Sequence, residues 1–167
     1  MTEDQAHLPT GAGWELMDPA STVPSFDEPG PVQWGGLGPG WEFAEEALAL
    51  VQADLSRTIE AAPTLGFAWY ERPAGERWIF VGKGPDWFFG GNGPLHLRSG
   101  AASAAAELAE AVQDAIVDSL LGYRSFWPRC PKDGRPLQAR VRGSEARWSC
   151  SADGADFGAV GQLVLDA

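Results

Sequence analysis

Residues 41–62, WEFAEEALALVQADLSRTIEAA, set Ala44, Leu48, Val51, Leu55 and Ile59 at helical spacing. One apolar stripe at that period predicts a helix. Glu42, Glu45 and Glu46 fall in its first turns, where the helix dipole favours negative charge, and Pro63 ends it. The period then changes. Residues 65–72 (LGFAWYER) and 77–82 (RWIFVG) are rich in aromatic and β-branched side chains, and the intervening PAGE is a turn, so a hairpin is predicted. GKGPD turns the chain into a third strand over 87–90, and GNGP precedes a short strand over 95–98. Residues 101–122 return to helical period. Leu108, Val112, Ala115, Ile116 and Leu120 form the apolar face, Ser99 or Gly100 is the cap, and Gly122 stops the helix. Short strands follow over 137–142 and 146–150, joined by GSE, with a third over 157–165.

Residues 1–40 break both periods. Six Pro and seven Gly mark turns and extended chain, so this part reads as an arm. It nevertheless carries Trp14, Phe26 and Trp34, which a flexible linker would lack. The expected home for them is the parent domain, because burying a large aromatic stabilises by about 1.5–3 kcal/mol. The predicted class is α+β: an antiparallel sheet of three to four strands covered by two helices, with an extended N-terminal arm (1–40), a core domain (41–123) and a small C-terminal β element (124–167).

Charge divides the chain in the same places. The whole carries a formal charge of -11 over 167 residues, and the first Lys or Arg is Arg57. Residues 1–123 hold 18 acids against 5 bases, whereas residues 124–147 hold 7 bases against 2 acids. Bulk nucleic-acid binding by the whole protein is disfavoured, because most of so acidic a surface would repel phosphate. The basic stretch reads first as a solvated hairpin paired with its own acidic neighbours. No run approaches the roughly 20 apolar residues of a membrane span, and the acidic start MTEDQAHLPT is unlike a secretory signal, so a cytoplasmic location is expected. Two cysteines are too few for a disulfide scaffold.

Those cysteines open the most specific local feature. Cys130-Pro131-Lys132-Asp133-Gly134 and Cys150-Ser151-Ala152-Asp153-Gly154 are both C-x-x-D-G. A zinc ribbon uses two C-x-x-C-G knuckles on hairpin turns, with Gly supplying positive φ; here Asp stands at each second ligand position. The tail is therefore zinc-ribbon-like. Cys130, Asp133, Cys150 and Asp153 are the candidate metal ligands, with zinc as the only cofactor implied. Three states remain open: a Cys₂Asp₂ zinc site, a ribbon held by packing without metal, and a Cys130–Cys150 disulfide, which a reducing compartment disfavours.

Residues 112–163 also resemble a set of small uncharacterised actinobacterial proteins. The matching residues are Gln113-Asp114, Gly122, Trp127-Pro128-Arg129-Cys130-Pro131, Pro136-Leu137, Trp148-Ser149-Cys150 and Val160-Gly161-Gln162-Leu163. Asp133 and Arg135 stand where that set often places His. The resemblance implies no known activity.

Catalytic signals are sparse. His7 lies in the arm, and His96 alternates with Leu95 and Leu97, pointing away from the face they share. No metalloprotease, nucleophile-elbow or phosphate-loop motif occurs. If the chain is an enzyme, His96, Asp86 and Lys83 are the first places to look. Asp114 and Asp118 lack an orienting partner. The aromatics Trp69, Tyr70, Trp78, Phe80, Trp87, Phe88 and Phe89 cannot all face the helices, so some lie on the opposite face, covered by the arm or open to a partner. The favoured reading is a non-catalytic protein-interaction module of adaptor, accessory or immunity type. Its expected interaction surface is Trp78, Trp87, Phe89, Arg140, Arg142 and Arg147. The alternatives are partner-assisted nucleic-acid binding by the basic hairpin, with Trp148 as a stacking platform, and an enzyme with its site in the glycine-rich β region.

Overall fold

A computed structural model of the 167-residue chain describes residues 31–72, 75–84, 87–89, 95–97, 100–116 and 126–165. Its elements run β1 (Gln33–Trp34), α1 (Glu42–Thr58), β2 (Gly66–Glu71), β3 (Arg77–Gly84), β4 (Trp87–Phe89), α2 (Ala101–Ala115), β5 (Leu137–Arg142), β6 (Glu145–Cys150) and β7 (Asp156–Ala159). They build two antiparallel sheets, ordered β1-β2-β3-β4 and β5-β6-β7. The class is α+β, and among the described residues no helix is long and apolar enough to cross a membrane.

The helix pair is shared by the two sheets. Ala44, Ala47, Val51 and Leu55 of α1 and Ala104, Leu108 and Val112 of α2 are buried in one cluster with Phe67, Ile79 and Val81 of the larger sheet. The same cluster contains Leu137, Ala146, Trp148 and Cys150 of the smaller one. Small alanines at the crossing let the two helices approach closely. Strand alternation explains the division of β2 and β3. Phe67 pairs with Val81 and Trp69 with Ile79 on the helix side, while Tyr70 pairs with Trp78 and Ala68 with Phe80 on the other.

Several expected boundaries move. The arm is not wholly separate: Gln33–Trp34 pairs with Trp69 and Ala68 as an edge strand, and Leu37 is buried in the core. Leu37 is held there because its amide donates to Glu45 Oε1 (3.2 Å) and its carbonyl accepts from Arg77 Nη1 (2.7 Å). Glu45 therefore anchors a loop as well as favouring the helix start. Residues 95–97 form no strand, although Leu95 and Leu97 are buried and His96 is exposed as the alternation requires. One backbone bond, from Leu95 N to Ile79 O (2.9 Å), ties this segment to β3. The last strand is shorter than its apolar pattern, ending at Ala159: Val160 N still donates to Ala146 O of β6 (2.8 Å), and the chain then turns at Val160 and Gly161. Trp14, Phe26, His7, Asp86, Asp118, Ser99, Leu120 and Gly122 lie outside the described residues.

Candidate functional site

The two C-x-x-D-G segments fold into turns with the same internal hydrogen bonds. In the first, Cys130 N donates to Arg135 O (2.7 Å), Gly134 N to Cys130 O (2.8 Å) and Arg135 N to Asp133 Oδ1 (3.0 Å). In the second, Cys150 N donates to Ala155 O (2.8 Å), Gly154 N to Cys150 O (2.9 Å) and Ala155 N to Asp153 Oδ1 (2.9 Å). Gly134 and Gly154 have φ of 73° and 71°, the left-handed geometry that Gly adopts without Cβ strain. Register places Leu137 opposite Cys150, and an isolated bridge pairs Arg129 with Pro136, so the turns lie side by side.

This arrangement brings three of the four predicted ligands together. The Sγ atoms of Cys130 and Cys150 and a carboxylate oxygen of Asp133 lie within 4.8 Å of one another. The Cys150 thiol donates to Asp133 Oδ2 at 3.7 Å. Both cysteines are buried free thiols, while Asp133 is half-buried at its side chain. Asp153 differs from its counterpart: its Oδ2 pairs with Lys132 Nζ at 3.2 Å. Main-chain amides also reach sulfur, as Ala152 N donates to Cys150 Sγ (3.4 Å). Burial pushes the Cys130 thiol above its ordinary range, opposed by the Lys132 amide. Asp133 is held below the usual carboxylate range, chiefly by the Arg135 amide, and Asp153 likewise by the Ala155 amide and Lys132.

The basic hairpin carries its own counter-charges. Arg140 and Arg147 are directly opposed across β5 and β6, an arrangement that costs energy unless acids intervene. Arg147 is held by Asp156 through Nε (2.7 Å) and Nη2 (3.0 Å), and by Glu145 (2.9 Å). This fork lowers Asp156 to about 2 and raises Arg147. Arg142 donates to Gly154 O (3.1 Å) and lies 3.8 Å from Asp156. Trp148 is wholly buried, which corrects the idea of a stacking platform there. Its position on β6 is set by alternation with Ala146 and Cys150, all on the helix side.

The face of β2 and β3 turned from the helices carries an aromatic stack. Tyr70 lies 5.9 Å from both Trp78 and Phe80, with Arg72 4.8 Å over the Trp78 ring. Trp34 sits at the edge of the same face, over Gly66, where a Cβ would come within 2.6 Å of its ring. The indole Nε1 of Trp78 is buried and has no hydrogen-bond partner among the described residues. Trp87 and Phe89 of the expected surface lie on β4, where Phe89 is registered against Val81 and Trp87 against Gly84. His96 borders a pocket of about 260 Å³ with Trp41, Glu76 and Arg77, and its amide donates to Glu107. A larger open groove of about 410 Å³ between α2 and β5 includes Asp114 and Arg140 in its lining but neither His96 nor Lys83.

Sequence reasoning missed Asp54. This α1 carboxylate is fully buried and accepts from Trp148 Nε1 (2.7 Å), Gly161 N (2.6 Å) and Leu163 N (2.8 Å), with Arg57 at 3.3 Å. One turn on, Thr58 Oγ1 accepts from Trp127 Nε1 (2.7 Å), and the two indoles meet edge to face at 5.6 Å. An acid at helical spacing between Val51 and Leu55 was the available signal, but acids on solvent faces are common enough to mask it.

The described residues thus define an α+β protein in which a paired-knuckle hairpin is mounted on a helix pair and a second, aromatic-faced sheet. Comparison with protein families, curated proteins and solved structures finds no match to this chain.

Proposed function

We propose that this chain is a non-catalytic protein-interaction module of adaptor, accessory or immunity type. Its C-terminal part is a zinc-ribbon-like element of the kind suggested by the actinobacterial resemblance. The observation that carries this reading is the half-buried stack of Tyr70, Trp78 and Phe80, flanked by Arg72, on the sheet face opposite the helices. Tyr, Trp and Arg are the side chains that dominate binding energy at protein interfaces, since each offers large apolar area with a polar tip. The nucleic-acid alternative draws less support, because Arg142 and Arg147 already spend their charge on Asp156 and Glu145.

The test compares wild type with Tyr70→Ser and Trp78→Ser, each checked for native circular dichroism, as bait in the native host. Expected is a protein captured stoichiometrically by wild type and lost with both folded variants. Capture of the same protein by the variants, or no stoichiometric protein with wild type, overturns the reading. So does oligonucleotide binding by wild type that weakens as salt rises.

A further inference from the structure

We propose that Cys130, Cys150 and Asp133 form a three-ligand zinc site, with water in the fourth position and Asp153 outside the coordination set. The inference stands on the knuckle turns and is independent of the aromatic face.

The donor set is geometrically close to what the ion demands. Tetrahedral zinc with Zn–S near 2.3 Å and Zn–O near 2.0 Å separates sulfur from oxygen by about 3.5 Å and the two sulfurs by about 3.8 Å. The Cys150 Sγ to Asp133 Oδ2 distance is 3.7 Å, and all three donors fall within 4.8 Å. Contraction by less than about 1 Å therefore completes three corners of the tetrahedron. The turns direct these atoms inward. Each Cys sits at the start of a turn closed by the same pair of backbone bonds, and the two Sγ atoms lie within 4.8 Å of each other. Asp133 Oδ1 is held by the Arg135 amide, leaving Oδ2 aimed at the sulfurs. That is the outer-shell anchoring that orients a metal-binding carboxylate.

Charge is consistent with a dication. Two thiolates and one carboxylate bring three negative charges, which zinc reduces to one, and Arg135 lies 3.8 Å from Asp133. The Ala152 amide, 3.4 Å from Cys150 Sγ, adds a second fixed contact to that sulfur. Soft sulfur donors select zinc over magnesium or calcium. Asp153 lies outside the trio of donors that fall within 4.8 Å of one another, and its Oδ2 pairs with Lys132 Nζ at 3.2 Å.

The experiment uses the full chain, reduced and handled without oxygen, titrated with Zn²⁺ and separately with Co²⁺ as a spectroscopic probe. Expected is one metal per chain and a thiolate-to-cobalt charge-transfer band. Cys130→Ser and Cys150→Ser should weaken binding by about 100-fold or more, and Asp133→Asn by about 10-fold or more, while Asp153→Asn stays within about threefold of wild type. Because a Ser at a buried Cys site can disturb folding, alkylation of wild type is the second readout. In urea sufficient to expose the metal-free thiols, Zn²⁺ should protect both, and a chelator should restore labelling. No binding by the reduced chain overturns the proposal. Binding retained in the Cys130→Ser/Cys150→Ser double variant, or an Asp153→Asn loss as large as that of Asp133→Asn, also overturns it.

Discussion

The Asp54 carboxylate on α1 receives the Trp148 indole N–H of β6 at 2.7 Å, across 94 residues of chain, with both side chains wholly buried. The same carboxylate takes the amides of Gly161 and Leu163, so one acid ties the knuckle hairpin and the segment after β7 to the first helix. Removing it leaves three buried donors without an acceptor, each costing about 1–3 kcal/mol. Asp54→Ala should therefore destabilise the fold by about 3–5 kcal/mol. Asp54→Asn, which keeps one acceptor oxygen, should cost less. Urea denaturation measures both, and a loss below about 1 kcal/mol for the alanine variant contradicts this account.

Gly161 faces two constraints at once. Its φ is +91°, and a Cβ there would lie 2.6 Å from Leu50 Cδ2 and 3.2 Å from Leu50 Cα. The second contact is backbone and cannot rotate away. Gly161→Ala should cost about 2–4 kcal/mol, from backbone strain and overpacking together. Gly143 has φ +64° with open space around it, so Gly143→Ala should cost about 1–2 kcal/mol from strain alone. Thermal melts of the pair test the ordering, and equal losses would show that Leu50 yields.

Acid should loosen the smaller sheet in a defined window. Arg147 holds Asp156 at about 2, below the roughly 3.9 of an unfolded Asp. A depressed carboxyl contributes stability that is complete above the unfolded value and is lost as pH falls through the folded one. The contribution thus fades between about pH 4 and pH 2. Arg147→Gln should move the Asp156 titration, followed by carboxyl NMR shifts, upward toward the ordinary range. An unmoved titration would mean that the Gly158 amide, which also donates to Asp156 (2.8 Å), dominates.

Much of the architecture is written in local pattern. The stripes Ala44–Val51–Leu55 and Leu108–Val112–Ile116 identify both helices, the PAGE turn marks the β2–β3 hairpin, and the C-x-x-D-G repeats mark the two turns. Each depends on neighbours a few residues apart, where period and turn chemistry act directly. Tertiary structure alone decides the rest. Periodicity says that a face is covered, not what covers it: Trp148 is buried rather than a stacking platform because Asp54, on α1, receives its indole N–H. Asp133 and Asp153 are equivalent in sequence. They part in their tertiary partners: Lys132 reaches Asp153 across the turns, while Asp133 and both sulfurs lie within 4.8 Å of one another. Contacts of that kind depend on how far apart two segments lie in space, a quantity no local run of side chains encodes.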